Sequence, residues 1–203
     1  MNIFERTESS AVEDYYLVMG QCAGDSVVTQ MAYGNYLDHL YSIVAELRRV
    51  DPDTPVLVKL HPYMDGEKHE CPEFLQKVID RLLQIGRGSS GFSVVSGMKS
   101  AQPYIAKAKC VLLANSGAGL EAMMQGKPII SWGVPEYHWV TYPLRHLCDL
   151  RRAVLSINDW FDAELQYKWL GWYCYEYTIR DIPSAGRRVR ELVSPTVQSQ
   201  MLP

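Results

Sequence analysis

A lysine and a histidine stand close together at the end of the apolar segment VLVKLHPY, residues 56–63. Side chains two positions apart in a strand lie on the same face. The segment therefore predicts that the Lys59 ammonium and the His61 imidazole point to one side, with Pro62 fixing the backbone beyond them. Two potential cations at a strand end would bind an anion. The alternative is that His61-Pro62 only stops the strand.

Polar residues and glycines mark another strand end, in the segment NSGAGLEA. Asn115 and Ser116 lie where an apolar run gives way to a helix, and Gly117 and Gly119 would permit close approach to the backbone. A helix N-terminus presents free N–H groups and a partial positive charge. We therefore predict a phosphate site that uses the Ser116 hydroxyl, with Glu121 accepting hydrogen bonds from a ribose. Alternatively, the glycines serve packing and Glu121 complements the helix dipole. The spacing is neither that of the P-loop nor that of GxGxxG.

A carboxylate lies in a third segment, GQCAGDSVV, which follows another apolar run. Asp25 could act there as a base or a nucleophile, or it could be a solvated turn residue. The segment WGVPEYHWVTYP, residues 132–143, could cover a base or a sugar, or form a rigid surface loop. No grouping of His, Cys and carboxylates has metal-ligand spacing, so we predict no metal site.

These segments follow the strands of an alternating α/β pattern. The apolar runs are mostly continuous, which is typical of a parallel sheet covered on both faces. We predict an α/β fold, a doubly wound, Rossmann-like parallel sheet with C-terminal helices, whose ligands lie along one rim at the carboxyl ends of the strands. The predicted strands are residues 15–20, 54–60, 92–97, 109–115 and 127–133, and the predicted helices begin near Asn35, Pro72, Ser100 and Gly117.

Composition indicates one soluble globular domain. The chain has 203 residues, is 47% hydrophobic and carries a net charge of −3, so no general attraction to nucleic acid or anionic lipid is expected. No apolar run approaches the length of a spanning helix, and the polar N-terminus has no signal-peptide core. Five cysteines are scattered singly, which favours a reducing cytoplasm over a disulfide framework.

Three regions follow from these patterns. Residues 1–14 are predicted to be a linker or tail, 15–140 the nucleotide-binding domain, and 141–203 a helical extension packed on it, ending with a helix near 184–193. Aromatic residues crowd this extension, above all in DWFDAELQYKWLGWYCYEYTIRD. We expect these rings to pack on the body of the protein. Stacking on a sugar or forming an interface is the alternative.

KLHP and, some fifty residues later, NSGAGLEAMMQGKPIISWG together resemble the donor-binding half of GT-B glycosyltransferases. They are most similar to the bacterial capsule and lipopolysaccharide Kdo transferases, which use CMP-Kdo. Bacterial sialyltransferases share a similar His-Pro motif and a serine motif around the CMP phosphate. The resemblance covers about residues 15–140.

The resemblance implies a role for each candidate residue. Lys59 and His61 would contact the phosphate of a CMP-sugar donor, and Ser116 with the N–H groups after it would hold the same phosphate. Glu121 would hold the ribose. Asp25 matches the position of a catalytic carboxylate in the retaining β-Kdo enzymes. The donor would be CMP-Kdo-like, with no permanently bound cofactor and no metal.

A complete GT-B enzyme has two such halves, and the acceptor half is largely missing from this sequence. We therefore expect a fragment, a minimal relative, or a subunit whose partner chain or second copy supplies the acceptor half. The expected activity is sugar transfer to a saccharide or glycolipid in capsule or surface polysaccharide synthesis. We expect it in the cytoplasm, with the acceptor able to hold it at the inner face of the membrane.

Three other functions stay open on the sequence. CDP-glycerol phosphotransferases of teichoic acid synthesis use the same fold with histidine and serine phosphate sites. A non-catalytic nucleotide-binding module would need no acceptor half. An unrelated α/β interaction domain would use His61-Pro62 only as a strand stop.

Overall fold

The computed structural model describes residues 13–22, 35–61, 72–88, 91–96 and 100–177. Strands and helices alternate along the first half of the chain. The strands are β1 (Tyr15–Met19), β2 (Val56–Lys59), β3 (Phe92–Val95), β4 (Ala108–Leu113), β5 (Ile129–Ser131) and β6 (Tyr142–Pro143). The helices are α1 (Tyr36–Val50), α2 (Pro72–Ile85), α3 (Gln102–Lys107), α4 (Ala118–Met124), α5 (Leu150–Leu155), α6 (Ile157–Trp160) and α7 (Ala163–Trp172). Short 3₁₀ helices cover His138–Val140 and Leu147–Asp149, and a π-helical segment covers Tyr173–Tyr177.

The six strands form a parallel sheet in the order β3-β2-β1-β4-β5-β6. The order runs outward from β1 to β3, then reverses and continues from β4 on the other side of β1. This reversal defines a doubly wound sheet and confirms the predicted fold class. The sequence did not predict β6, because a strand of two residues is too short to carry a periodic pattern.

Alternate residues of the central strands face two apolar layers. One layer joins the sheet to α1, α2 and α5, and its sheet residues include Tyr16, Val18, Val58, Leu112 and Ile130. Leu17, Leu57, Val111 and Leu113 alternate with them and are also buried, on the side where α3 and α4 pack. Burial on both faces explains the continuous apolar runs that predicted a parallel sheet.

Local sequence signals fix several element ends. Asn35 Oδ1 accepts hydrogen bonds from the N–H groups of Leu37 and Asp38 at 3.0 and 3.2 Å, which confirms the predicted N-cap of α1. Gly126 ends the α4 segment with a φ of +62°, a conformation that glycine adopts without strain.

The chain divides into two compact units, Met1–Tyr167 and Lys168–Pro203. The boundary that we predicted at residue 140 falls inside the first unit, just before β6. In the second unit, the Trp169 ring stacks on Tyr173 with a centroid distance of 4.9 Å. The predicted helix near 184–193 lies outside the described residues. None of the described helices is long and apolar enough to span a bilayer.

A polar cluster at the amino ends of the strands stabilises the sheet opposite the ligand rim. Asp51 Oδ2 accepts hydrogen bonds from the Tyr16 hydroxyl and the Thr54 hydroxyl, both at 2.7 Å, and lies 3.6 Å from Lys109 Nζ. Burial alone would raise the pKa of Asp51, but these hydrogen bonds and the Lys109 charge outweigh it, so the pKa is lowered.

Asp51→Asn is expected to lower the free energy of unfolding by about 1–2 kcal/mol at pH 7. A carboxyl with a lowered folded pKa contributes stability above its unfolded pKa and loses it as the pH falls through the folded pKa. Urea unfolding at pH 7 and near pH 3 should therefore show a smaller gap between the two proteins in acid. Asp53→Asn, an exposed change in the same turn, is the control and should change nothing. A gap of equal size at both pH values would contradict this account.

Candidate functional site

The described parts of three predicted segments leave the sheet at its carboxyl edge. They follow β2, β1 and β4, which are neighbours in the strand order, and the order reverses between β1 and β4. In doubly wound sheets ligands bind at such a reversal. The predicted rim is therefore the carboxyl edge at the centre of this sheet.

Lys59 is a buried cation on this edge. It ends β2, is 2% exposed, and its Nζ donates a 3.5 Å hydrogen bond to the carbonyl oxygen of its neighbour Leu60. Among the described residues its Nζ has no carboxylate oxygen within 4.0 Å. Burial lowers the pKa of Lys59, and the more distant charge of Glu121 partly opposes this. An ammonium so placed is suited to an anion that enters from outside the chain.

His61 has a different neighbour from Lys59. Its Nδ1 lies 3.3 Å from the Cys22 sulfur, just beyond the end of β1, and the imidazole is half-buried. The sequence predicted that the side chains of Lys59 and His61 point to the same side. In the structure the charge of Glu121 acts on Lys59, whereas His61 contacts the thiol of Cys22.

A chain of hydrogen bonds ties the ends of β1 and β4 together. The backbone N–H of Asn115 donates to the Gln21 side-chain oxygen at 2.8 Å, and the backbone N–H of Gln21 donates to the Tyr36 hydroxyl. Gln21 and Tyr36 are buried, and burial raises the pKa of the Tyr36 phenol. We call this set, Gln21 with Tyr36 and Asn115, the Gln21 bridge. It holds the Asn115–Ser116 turn at the point where the strand order reverses.

Ser116 and Gly117 form the open part of the β4–α4 turn. The Ser116 hydroxyl accepts a 3.2 Å hydrogen bond from the Ala118 N–H and still has its own proton to donate. Gly117 is exposed, and a Cβ built there would meet nothing within 4 Å. This side of the turn is therefore accessible to a ligand.

Gly119, by contrast, packs against protein. A Cβ at this position would overlap the Tyr137 ring, whose hydroxyl donates to the Ser116 carbonyl oxygen. Tyr137 is 2% exposed, and burial raises its pKa. The close approach that the sequence predicted at Gly119 is therefore made by an aromatic ring of the β5–β6 connection, and the packing interpretation accounts for this glycine.

The turn after β5 packs against two residues of the Gln21 bridge. A Cβ at Gly133 would overlap the Asn115 side chain. Trp132 stacks on Tyr36 with centroids 6.4 Å apart, and its buried Nε1 has no hydrogen-bond partner among the described residues. Trp139, in the same connection, is 78% exposed.

Two predicted site residues, Asp25 and Pro62, lie outside the described residues. Glu121 lies in the first turn of α4, as predicted. Within the described part of the chain, no group of three or more His, Cys, Asp and Glu side chains is placed to hold a metal ion.

Gln21 and Cys22 were not predicted from the sequence as parts of the site, and Tyr137 was predicted only as part of a segment that could cover a ligand. Gln21 and Cys22 stand in GQCAGDSVV, directly after β1, where the rule of strand carboxyl ends already pointed. Tyr137 is in the segment predicted to cover a ligand, and nothing local to its sequence shows that its ring fills the space over Gly119.

A comparison with protein families matches residues 2–149 to the family described as capsule polysaccharide biosynthesis protein. The match covers more than half of the chain and includes all of β1 to β6. No curated protein sequence matches the chain significantly.

Solved structures share the fold. The KpsC β-Kdo 2,4-transferase of Thermosulfurimonas dismutans superposes with a TM-score of 0.51 at 18% identity, over 73% of this chain and 46% of that protein. The UDP-GlcNAc 2-epimerase of Methanocaldococcus jannaschii superposes with a TM-score of 0.50 at 15% identity, over 82% and 47%. The predicted resemblance to a GT-B donor-binding half is thus confirmed for the fold. The chain spans less than half the length of these proteins.

Proposed function

Because this chain belongs to the family of capsule polysaccharide biosynthesis proteins, we propose that its sheet binds a nucleotide-activated sugar for transfer to a saccharide or glycolipid acceptor. The proposed donor is a CMP-activated sugar of the Kdo type. Support for the nucleotide comes from the likeness of KLHP and NSGAGLEA to the motifs of the CMP-Kdo-using transferases.

The burial of Lys59 is the observation that carries this proposal. A buried ammonium is costly unless it is paired, and within the described residues no carboxylate lies close enough to pair with it. A phosphate at the carboxyl edge would supply that charge. The Ser116–Gly117 turn, accessible on the same edge, would add a hydroxyl and backbone N–H donors.

These groups would assist departure of the nucleotide. When the bond between the sugar and the phosphate breaks, negative charge develops on the phosphate oxygen. The Lys59 ammonium, the His61 ring and the Ser116 hydroxyl would stabilise that charge, and donors held in place beforehand do so most effectively. Asp25 is proposed as the base or nucleophile, and Glu121 as the acceptor for ribose hydroxyls.

A partner half completes the proposal. The chain spans less than half the length of its structural neighbours, so we propose that further sequence, a second copy or another chain supplies the acceptor site. The same observation favours a second candidate function, a nucleotide-binding module without catalysis of its own.

Calorimetric titration of the purified chain with CMP, CDP, UMP and UDP tests the proposal. We expect CMP to bind with micromolar affinity, and His61→Ala to weaken it at least tenfold, as loss of a hydrogen bond to a charged group does. His39→Ala, a change of a partly exposed histidine of α1, is the matched control and should bind as the wild type.

The other possible outcomes of the titration support other functions or contradict the proposal. Preference for CDP would support the glycerol-phosphate transferases, and preference for UMP or UDP would support a uridine-nucleotide sugar, as named for the second structural neighbour. Equal affinity of His61→Ala and wild type would remove His61 from the phosphate site. Binding of none of the four nucleotides would contradict a donor site in this chain. Turnover by the chain with an acceptor would exclude a purely binding module.

A further inference from the structure

The connection between β5 and β6 carries a tryptophan that is largely exposed to solvent. Trp139 is 78% exposed, more than any other large apolar side chain of the described residues. Its one ring contact in that part of the chain is with the His138 imidazole, at a centroid distance of 4.2 Å. An indole offers a large apolar surface, so most of the stabilisation that its burial would give is not realised within this chain.

The turn that carries Trp139 is held on both sides of it. Before Trp139, the buried Tyr137 donates its hydroxyl hydrogen bond to the Ser116 carbonyl oxygen. After it, the Val140 carbonyl oxygen accepts a 3.1 Å hydrogen bond from Nε2 of Gln166, which is 1% exposed. The exposed indole is therefore positioned before any ligand arrives, which lowers the entropic cost of binding.

The hydrogen bond of His138 fixes which ring nitrogen is available to a ligand. Its Nδ1 lies 2.8 Å from the Pro135 carbonyl oxygen. A carbonyl oxygen only accepts, so Nδ1 carries a proton, and in the neutral ring Nε2 has a lone pair. Nε2 has no hydrogen-bond partner among the described residues, and the side chain is partly exposed. A hydrogen-bond acceptor thus lies beside the exposed indole.

This combination suits a sugar ring. The face of an aromatic ring is negative and attracts the polarised C–H groups on the apolar face of a pyranose. A hydroxyl at the edge of the pyranose can donate to His138 Nε2. Glu136 is exposed in the same turn, and its carboxylate favours a neutral sugar over an acidic one.

We propose that His138 and Trp139 bind a neutral pyranose of the acceptor chain, at a distance from its reacting end. The proposed nucleotide site lies at β1 and β4, whereas this pair follows β5, the next strand toward the sheet edge. The subsite adds to the acceptor site of the proposed partner half. Its role toward an acceptor rests on the proposed function, whereas binding of a neutral sugar does not.

Saturation-transfer NMR of the full chain tests the proposal with three probes, methyl β-D-galactopyranoside, methyl β-D-glucopyranoside and Kdo. Each is measured with and without an excess of CMP. We expect at least one neutral glycoside to bind with a dissociation constant of about 1–10 mM, through the C–H protons of one face of its ring. Kdo should bind more weakly, and CMP should not displace the glycoside.

Substitutions assign the signal to the pair. Trp139→Ala should weaken glycoside binding about three- to tenfold, and Trp139→Phe should retain part of it. His138→Phe, which keeps a ring beside Trp139 and removes the acceptor, should weaken binding about two- to tenfold. Trp172→Ala, which removes an exposed indole of α7, is the matched control and should bind as wild type. Urea unfolding of Trp139→Ala should match wild type, because its side chain is exposed.

Each remaining outcome decides between the sites. Equal binding by wild type and Trp139→Ala, or binding of neither neutral glycoside, would overturn the proposal. Displacement by CMP, or a preference for Kdo, would place the pair in the donor site and overturn its assignment to the acceptor. Glycoside binding that depends on Trp139, in a protein that binds no CMP, would leave this sugar site standing while the proposed donor site fails.

Discussion

Lys59→Met is expected to weaken CMP binding by about 10- to 100-fold and to leave the protein as stable as wild type or more stable. The loss follows from removing a charged donor to the phosphate. The gain in stability follows because a buried ammonium with no carboxylate within 4.0 Å among the described residues costs desolvation free energy, which an unbranched apolar side chain avoids. Calorimetry with CMP and urea unfolding measure the two effects.

Lys109→Met is the matched control. Lys109 also lies on a strand of the sheet, but it is exposed and faces the Asp51 cluster at the opposite edge. We expect CMP affinity to be unchanged and stability to fall by less than about 1 kcal/mol, as for a surface ion pair. A large loss of stability in Lys59→Met with no loss of CMP affinity would mean that this ammonium supports the fold and does not bind an anion.

The pH dependence of stability and of CMP binding also distinguishes an anion-binding role of Lys59 from a role in supporting the fold. Burial lowers the pKa of Lys59 in the folded protein, so between the folded and unfolded pKa values the unfolded chain binds more protons. Stability contributed through this group therefore rises with pH across that window. The difference in unfolding free energy between Lys59→Met and wild type should shrink as the pH rises, and CMP binding by wild type should weaken over the same range.

Gly119→Ala is expected to lower the free energy of unfolding by about 1–3 kcal/mol, as overpacking does. Its new methyl group would overlap the buried Tyr137 ring, and the ring cannot move without breaking its hydrogen bond to the Ser116 carbonyl. CMP affinity should fall with it, because displacement of Ser116 disturbs the β4–α4 turn. Urea unfolding and CMP calorimetry are the measurements.

A second substitution shows whether the ring is the cause. Tyr137→Leu in the Gly119→Ala protein should recover part of the lost stability. The double variant should then be more stable than the sum of the two single effects predicts, and this difference is the coupling free energy between positions 119 and 137. Gly117→Ala is the control for stability, since a Cβ there meets nothing and the backbone φ of −55° suits alanine. If Gly119→Ala were as stable as wild type and lost only CMP binding, the ligand and not Tyr137 would require this glycine.

The fold could be predicted because its signals are local. Apolar runs on both faces of each strand predicted the parallel sheet, and Asn35 and Gly126 mark element ends through chemistry that a few residues contain. Strand β6 was not predicted, because its two residues carry no periodic pattern and it is recognised only by its pairing with β5.

The site could be predicted only in part, for a related reason. Lys59, Ser116 and Glu121 could be predicted as site residues because each departs from the pattern of its own segment. The residues that lie next to them in space could not, because these contacts depend on which strands are neighbours in the sheet. The contacts Gln21–Asn115 and Cys22–His61 span 94 and 39 residues, and no periodicity in the sequence encodes either pairing.

The Gln21 bridge constrains how this family can diverge. Gln21 uses its backbone N–H on the Tyr36 hydroxyl and its side-chain oxygen on the Asn115 N–H, so one residue serves two distant segments. A shorter or apolar residue at position 21 would remove the acceptor of the partly buried Asn115 N–H. The two contacts therefore place different demands on the sequence. Position 21 needs a side chain that reaches the Asn115 N–H with an acceptor, as glutamine does, whereas its bond to Tyr36 uses a backbone group that every residue except proline provides. Homologues are therefore expected to keep glutamine or glutamate at position 21 and a hydroxyl at position 36, and the Gln21 contact alone sets no requirement for the side chain at position 115.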